Sequence, residues 1–178
     1  MNKKIFHYPK NDMMKLLAML QEKYGKDFSE MVVKHIENGR YNKPEFLREL
    51  KSIYGNEVLE AVAELNGKKV FRAWRNRRRE SDGTIDGLIK LLWKPLKKQG
   101  LEYTFTETEE GVLMNCTKCP YYDAAKTLGY EEEIYYMHCA SDPYIVEGFN
   151  PNIGFKRTKT LMDGDCCDHF YYYKDKSK

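Results

Sequence analysis

Five cysteines fall between Cys116 and Cys167, within 52 residues of a 178-residue chain. Acids and imidazoles are interleaved with them. Cys116 and Cys119 form a C-x-x-C pair. Cys139 follows His138 and precedes Asp142 by three residues. Cys166 and Cys167 are adjacent and lead into Asp168 and His169. Two chemistries suit this set. A C-x-x-C pair with two later Cys or His ligands can close a tetrahedral zinc site, although here the later members come from separate elements. A thiolate nucleophile instead needs a cation, a histidine or a helix N-terminus beside it. Cys119 stands just before Pro120, where a helix is expected to start. The plainer alternative is that reduced cysteines pack as small apolar side chains.

The elements that must position these groups follow from periodicity. Met13, Leu16, Leu17, Leu20 and Tyr24 recur at helical steps, with Asn11 or Asp12 as cap and Gly25 as stop. Phe28, Met31, Val32, His35 and Ile36 make a second stripe, ending near Gly39. Pro44 suits a first helical turn and opens a third, Phe46 to Tyr54, broken by Gly55. Val58, Ala61, Val62, Leu65, Phe71 and Trp74 continue as a long helix with Gly67 inside it. Ile85 to Leu96 makes a fifth, bent at Pro95.

After Gly100 the period changes. LEYTFTET reads as a strand with Leu101, Tyr103 and Phe105 on one face, and GVLMNC returns as its hairpin partner. Pro120 starts a short helix closed by Gly129, and EEEIYYMHCASD reads as another. PYIVEGFNPNIG, with two prolines and two glycines, reads as loop, and Asp142 before Pro143 is a common turn former. GFKRTKTLM, carrying Arg157, reads as a third strand, and CCDHFYYYK as a fourth. The expected fold is α+β: N-terminal helices packed on a C-terminal antiparallel sheet of about four strands, with short helices inserted.

Charge divides the same two parts. Residues 1–100 carry a net charge of +9 and residues 101–178 a net charge of −6. All five cysteines and ten of the fourteen tyrosines lie in the second part. We therefore expect a helical scaffold layer over 1–100 and a cysteine-rich α+β part carrying the site over 101–178, the two making one structural domain. No apolar run has the roughly 18–20 residues that a membrane span needs. No secretory pattern follows the basic N-terminus, so a cytoplasmic location with reduced thiols is expected. Lys68 to Arg79 carries seven cations and no acid. It reads as a solvated helix face in preference to a phosphate stripe, because the acidic part would repel a nucleic acid. Exposed apolar stripes on the helical part suit a homodimer.

Four ordered blocks then carry a resemblance: CPYYDAAKTLGY from Cys119, CASD from Cys139, GFNPNIGFKRTKTL from Gly148 and GDCCDHFY from Gly164. With their spacing they resemble the L-2-amino-thiazoline-4-carboxylic acid hydrolase family. That resemblance implies a small cytoplasmic bacterial hydrolase that opens a cyclic isothiourea to a carbamoyl-cysteine, on a route to cysteine. Its pattern falls on Cys119, Cys139, Asp142, Gly164, Cys167 and Asp168, leaving Cys116 and Cys166 as extras. If Cys166 were the functional member, the strand's two-residue period would put it on the opposite face.

The expected chemistry is attack at ring C2 by the thiolate of Cys119 or Cys139. Asp142 would hold the exocyclic amine and relay a proton, and Asp168 or His169 would supply a second acid/base function. Arg157 would clamp the substrate carboxylate, since its fork matches one bidentately. The alternative is a zinc-bound water on Cys119, Cys139 and Cys167. The order of elements is also similar to vinyl-reductase-type domains, which implies a non-catalytic module binding a small molecule or zinc.

Overall fold

The computed structural model of the chain describes residues 18, 21–27, 30–31 and 44–174. Most of the first two stripes, from Asn11 to Leu20 and from Phe28 to Gly39, lies outside the described residues. Residues 21–24 are helical, and Gly25 follows with φ +89°, the left-handed conformation its stop signal calls for. The chain falls into two compact units, residues 1–61 and 62–178.

In the first unit Pro44 opens α1 (Pro44–Tyr54), which buries Phe46, Leu47 and Leu50. Gly55, at φ +78°, ends it, and its N–H returns to the Lys51 carbonyl at 2.8 Å. The helix α2 (Glu57–Arg77) begins here with buried Val58 and Leu59, and runs on into the second unit.

In the second unit α2 ends in a 3₁₀ turn, Arg78–Glu80. The Thr84 hydroxyl then caps α3 (Ile85–Lys98) by accepting the Gly87 N–H at 3.1 Å, and α3 continues through Pro95. The hairpin β1 (Glu102–Glu107) and β2 (Gly111–Lys118) forms as expected. Pro120 and Gly129 bound α4 (Pro120–Leu128), Gly129 at φ +69°. Next come α5 (Glu131–Met137), a 3₁₀ turn at Cys139–Ser141, and α6 (Asp142–Phe149). β3 (Ile153–Lys156) and β4 (Cys167–Tyr173) complete an antiparallel sheet of order β1-β2-β4-β3. The fold is α+β. Among the described residues no helix is long and apolar enough to cross a membrane.

Register decides which side chains face the core. Met114 lies opposite His169, Cys116 opposite Cys167, and Phe155 opposite Tyr171. These residues share the face that carries the core with Trp74, Leu88, Trp93, Val146 and Phe149. The indole N–H of Trp93 donates to the Tyr171 hydroxyl at 3.1 Å, so neither buried polar group is stranded. Leu101 and Tyr103 take part in this packing, but Phe105 is 58% exposed. It lies beyond the cover of the helices, on an edge strand whose other residues are mostly polar.

Two expectations are corrected. Residues 142–149 are helical rather than loop. Pro143 sits in the first turn, where its missing N–H costs nothing. Gly148 serves packing, since a Cβ there would collide with the Phe71 carbonyl of α2; Gly67 of α2 likewise lies under the Tyr144 ring of α6. The third strand also ends at Lys156, so Arg157 stands just off the sheet.

Gly148→Ala should destabilise the protein by about 1–3 kcal/mol, because the obstacle is backbone. Gly67→Ala should cost less, because a side chain can shift and Ala favours the helix by about 1 kcal/mol. Denaturant titration of both variants checks this order; equal effects would contradict it.

Candidate active site

The covered end of the sheet gathers groups from four places. The extended backbone of β2 brings Cys116 to its final turn of register, opposite Cys167 on β4. Cys119 is half-buried at the N-terminus of α4, where its carbonyl accepts the Asp123 N–H at 2.9 Å. The 3₁₀ turn and the start of α6 supply Cys139 and Asp142, and the segment after β3 supplies Arg157.

Arg157 is the hub. Its Nη1 donates to Asp142 Oδ2 at 2.6 Å. Both Nη atoms reach the Cys139 carbonyl at 3.3 Å, and Nη2 donates to the Tyr135 hydroxyl at 3.3 Å. The guanidinium also stands 5.5 Å from the Tyr135 ring centre and 5.9 Å from that of Phe155. The ion pair is enclosed: the Arg157 side chain is 10% exposed and that of Asp142 20%. Pairs this enclosed are held by desolvated hydrogen bonds, not by screened surface charge.

Burial pushes the Asp142 carboxyl up to about 7, against the pull of the Arg157 charge and hydrogen bond. Burial pushes the Cys139 thiol up to about 12; Asp142 adds to that shift and Arg157 opposes it. Cys167 is raised by burial, while a hydrogen bond from the Leu161 N–H at 3.2 Å pulls the other way. Cys139 feels Cys167 and Cys119 electrostatically, and Cys167 feels Arg157, Cys119 and Asp142. Cys119, Cys139, Asp142, Arg157 and Cys167 therefore share one neighbourhood.

The other candidates are placed differently. The Asp168 carboxylate accepts the N–H groups of Thr158 and Lys159 at 2.8 and 2.7 Å, and the Thr158 hydroxyl as well. Partial burial would raise it, but these bonds prevail and hold it below the usual carboxylate range. His169 lies on the covered face among Trp93, Phe155 and Tyr171, with ring centres 5.1, 5.4 and 6.4 Å away. Burial holds it down to about 3, helped by Arg157, and among the described residues its Nδ1 has no hydrogen-bond partner. Of the two adjacent cysteines, Cys167 faces the core side. Cys166 donates to the Asn115 side chain at 3.8 Å. Cys116 donates to the Lys118 carbonyl at 3.3 Å, and burial pushes it up to about 12.

No three His, Cys, Asp or Glu side chains among the described residues form a group that could hold a metal ion. Cys119, Cys139 and Cys167 are neighbours without being a ligand set. Tyr135 was not singled out from sequence. Its only signal is its place in a short helix four residues before Cys139, which does not separate it from Tyr136.

A family model described as L-2-amino-thiazoline-4-carboxylic acid hydrolase matches residues 13–171. No curated protein and no solved structure gives a match.

Two measurements probe these environments. With iodoacetamide at pH 8, Cys116 and Cys139 should label slowly in the folded protein, since thiols near 12 stay protonated. Peptide mass spectrometry showing either labelled ahead of Cys119 would contradict the assigned burial. His169 titrates lower folded than unfolded, so the unfolded chain takes up its proton first. The His169 contribution to stability should therefore fall as pH drops from about 6.5 toward 3, by up to a few kcal/mol, while the raised Asp142 carboxyl works in the opposite sense as pH falls below about 7. His169→Gln should flatten that limb of a stability–pH curve.

Proposed function

The chain belongs to the L-2-amino-thiazoline-4-carboxylic acid hydrolase family, and we propose that it opens that cyclic isothiourea, with Cys119, Asp142 and Arg157 as the working residues. The observation that carries this reading is the enclosed Arg157–Asp142 pair. It sets a cation suited to a carboxylate beside a carboxyl poised near neutrality.

The substrate's carboxylate takes the Arg157 fork in exchange for Asp142. Asp142, deprived of its cation in an enclosed site, then favours its protonated form and turns to the ring's amidine nitrogens. Cys119 is the nucleophile this reading favours over Cys139. It is half-buried at a helix N-terminus, whose dipole favours negative charge, whereas Cys139 is pushed up to about 12.

The Cys119 sulfur adds to C2, the C=N electrons move to nitrogen, and that nitrogen takes the proton the thiol gives up. The tetrahedral centre then collapses by breaking one ring bond from C2, with Asp142 giving its proton to the departing ring atom. Water adds to the enzyme-bound amidine carbon, Asp142 takes one of its protons and the departing Cys119 sulfur the other, and loss of ammonia is not required. The net change is the addition of one water to give a carbamoyl-cysteine. The carbonyl of Cys139 and the hydroxyl of Tyr135 hold Arg157 during the exchange.

The test is turnover of L-2-amino-thiazoline-4-carboxylate by the reduced protein, followed by NMR. Cys119→Ala should lose at least about 10²-fold in kcat. For the wild type kcat/KM should fall as pH rises through about 7, because the working Asp142 is protonated in the free protein, and Asp142→Asn should lose both that limb and about 10²–10⁴-fold in rate. Arg157→Lys should raise KM more than it lowers kcat. No turnover by the wild type would overturn the reading.

A further inference from the structure

We propose that Cys167 and Asp168 are positioning residues that staple the segment carrying Arg157 to β4, and so fix where the guanidinium meets a substrate carboxylate. This rests on the reading of Arg157 given above.

The sheet stops at Lys156, which still pairs with Phe170. Arg157 is the next residue, and the residues after it leave the ladder. Their backbone donors go to the first two side chains of β4. Asp168 takes the N–H groups of Thr158 and Lys159 and the Thr158 hydroxyl. Its own N–H returns to the Lys159 carbonyl at 3.3 Å. Cys167 Sγ takes the Leu161 N–H. Beyond them a tight turn closes, with the Thr160 hydroxyl donating to Asp163 at 2.9 Å. Arg157 is thereby bracketed: sheet pairing holds residue 156 and the staple holds residues 158 to 161. Its long side chain starts from a fixed backbone point. That is the condition for meeting Asp142, the Cys139 carbonyl and Tyr135 together.

The chemistry of the acceptors makes the proposal specific. An amide oxygen can receive the two N–H groups that Asp168 receives, and its NH₂ can donate to the Thr158 hydroxyl. Asn at 168 should therefore preserve the staple, while a proton-transferring or nucleophilic role would not survive the change. A serine oxygen at 167 can likewise accept the Leu161 N–H, but it cannot replace a nucleophilic or metal-binding thiolate.

The experiment compares Asp168→Asn and Asp168→Ala, and Cys167→Ser and Cys167→Ala, in the full chain. Amide hydrogen exchange at Thr158, Lys159 and Leu161 and the Arg157 guanidinium NMR signal report the staple without activity. Exchange at β2 amides reports intact folding. Asp168→Ala should speed exchange at Thr158 and Lys159 by at least about tenfold, and Cys167→Ala should do so at Leu161, while the Asn and Ser variants stay within a few-fold of wild type. With the carboxylate substrate, Asp168→Ala should raise KM about tenfold more than it lowers kcat; with 2-amino-thiazoline, which lacks the carboxylate, that KM effect should vanish. Asn as damaging as Ala at 168, or Ser as damaging as Ala at 167, with the Arg157 signal unmoved, would overturn the proposal in favour of direct catalysis. If the wild type turns over neither compound, the proposed function falls. The staple is then judged on exchange alone, and unchanged amides in Asp168→Ala would overturn it.

Discussion

A guanidinium removed from water is costly unless every side of it is answered. In this protein the answers to Arg157 come from Asp142, from the Cys139 carbonyl and from Tyr135, which lie in three consecutive short elements. The cation thus ties α5, the 3₁₀ turn and α6 to the end of β3. Losing Asp142 would leave the buried cation uncompensated, and breaking such a pair typically costs about 3–5 kcal/mol. The same enclosure that makes the pair expensive raises the affinity of Asp142 for a proton. The cost of the pair and the acid/base readiness of Asp142 therefore arise from one desolvation.

The helices that deliver this arrangement approach each other through missing side chains. Gly67 and Gly148 let α2 and α6 come together where a Cβ would strike Tyr144 or the Phe71 carbonyl. α6 begins at Asp142, so the depth to which it sinks against α2 sets the height of the carboxylate over the sheet. On the other side the alternation of β4 sends Cys167, His169 and Tyr171 to the core face and leaves Asp168 off it. Packing and register together decide which members of the cysteine cluster can meet.

Local signals were legible in the sequence where they acted locally. Pro44, Gly55, Pro120 and Gly129 mark helix ends in the chain and in the structure. The change of period after Gly100 marks the hairpin. Signals whose meaning depends on a distant partner were misread. Pro143 and Gly148 look like loop formers, yet one occupies a harmless first-turn position and the other a helix crossing. The segment KRTKTLM after Phe155 looks like strand, but Asp168, ten residues on from Thr158, takes the N–H groups that a strand would offer its neighbour. Asp142 and Arg157 were both singled out, but not as each other's partner. Nothing in their spacing of fifteen residues reveals a 2.6 Å bond. The cysteine cluster was visible by composition, whereas the burial that raises Cys116 and Cys139 depends on what packs over them.

The strand order β1-β2-β4-β3 has a consequence for synthesis. The central position beside β2 is filled by the strand made last. While the chain is being made, β2 and β3 each present an open edge, and Thr158 and Lys159 have no carboxylate to hold them. Only the arrival of β4 joins the hairpin to β3, covers those edges and fastens the segment that carries Arg157. Assembly of the sheet and fastening of the segment after Arg157 are thus a single late event, and a nascent chain ending before residue 167 can have neither.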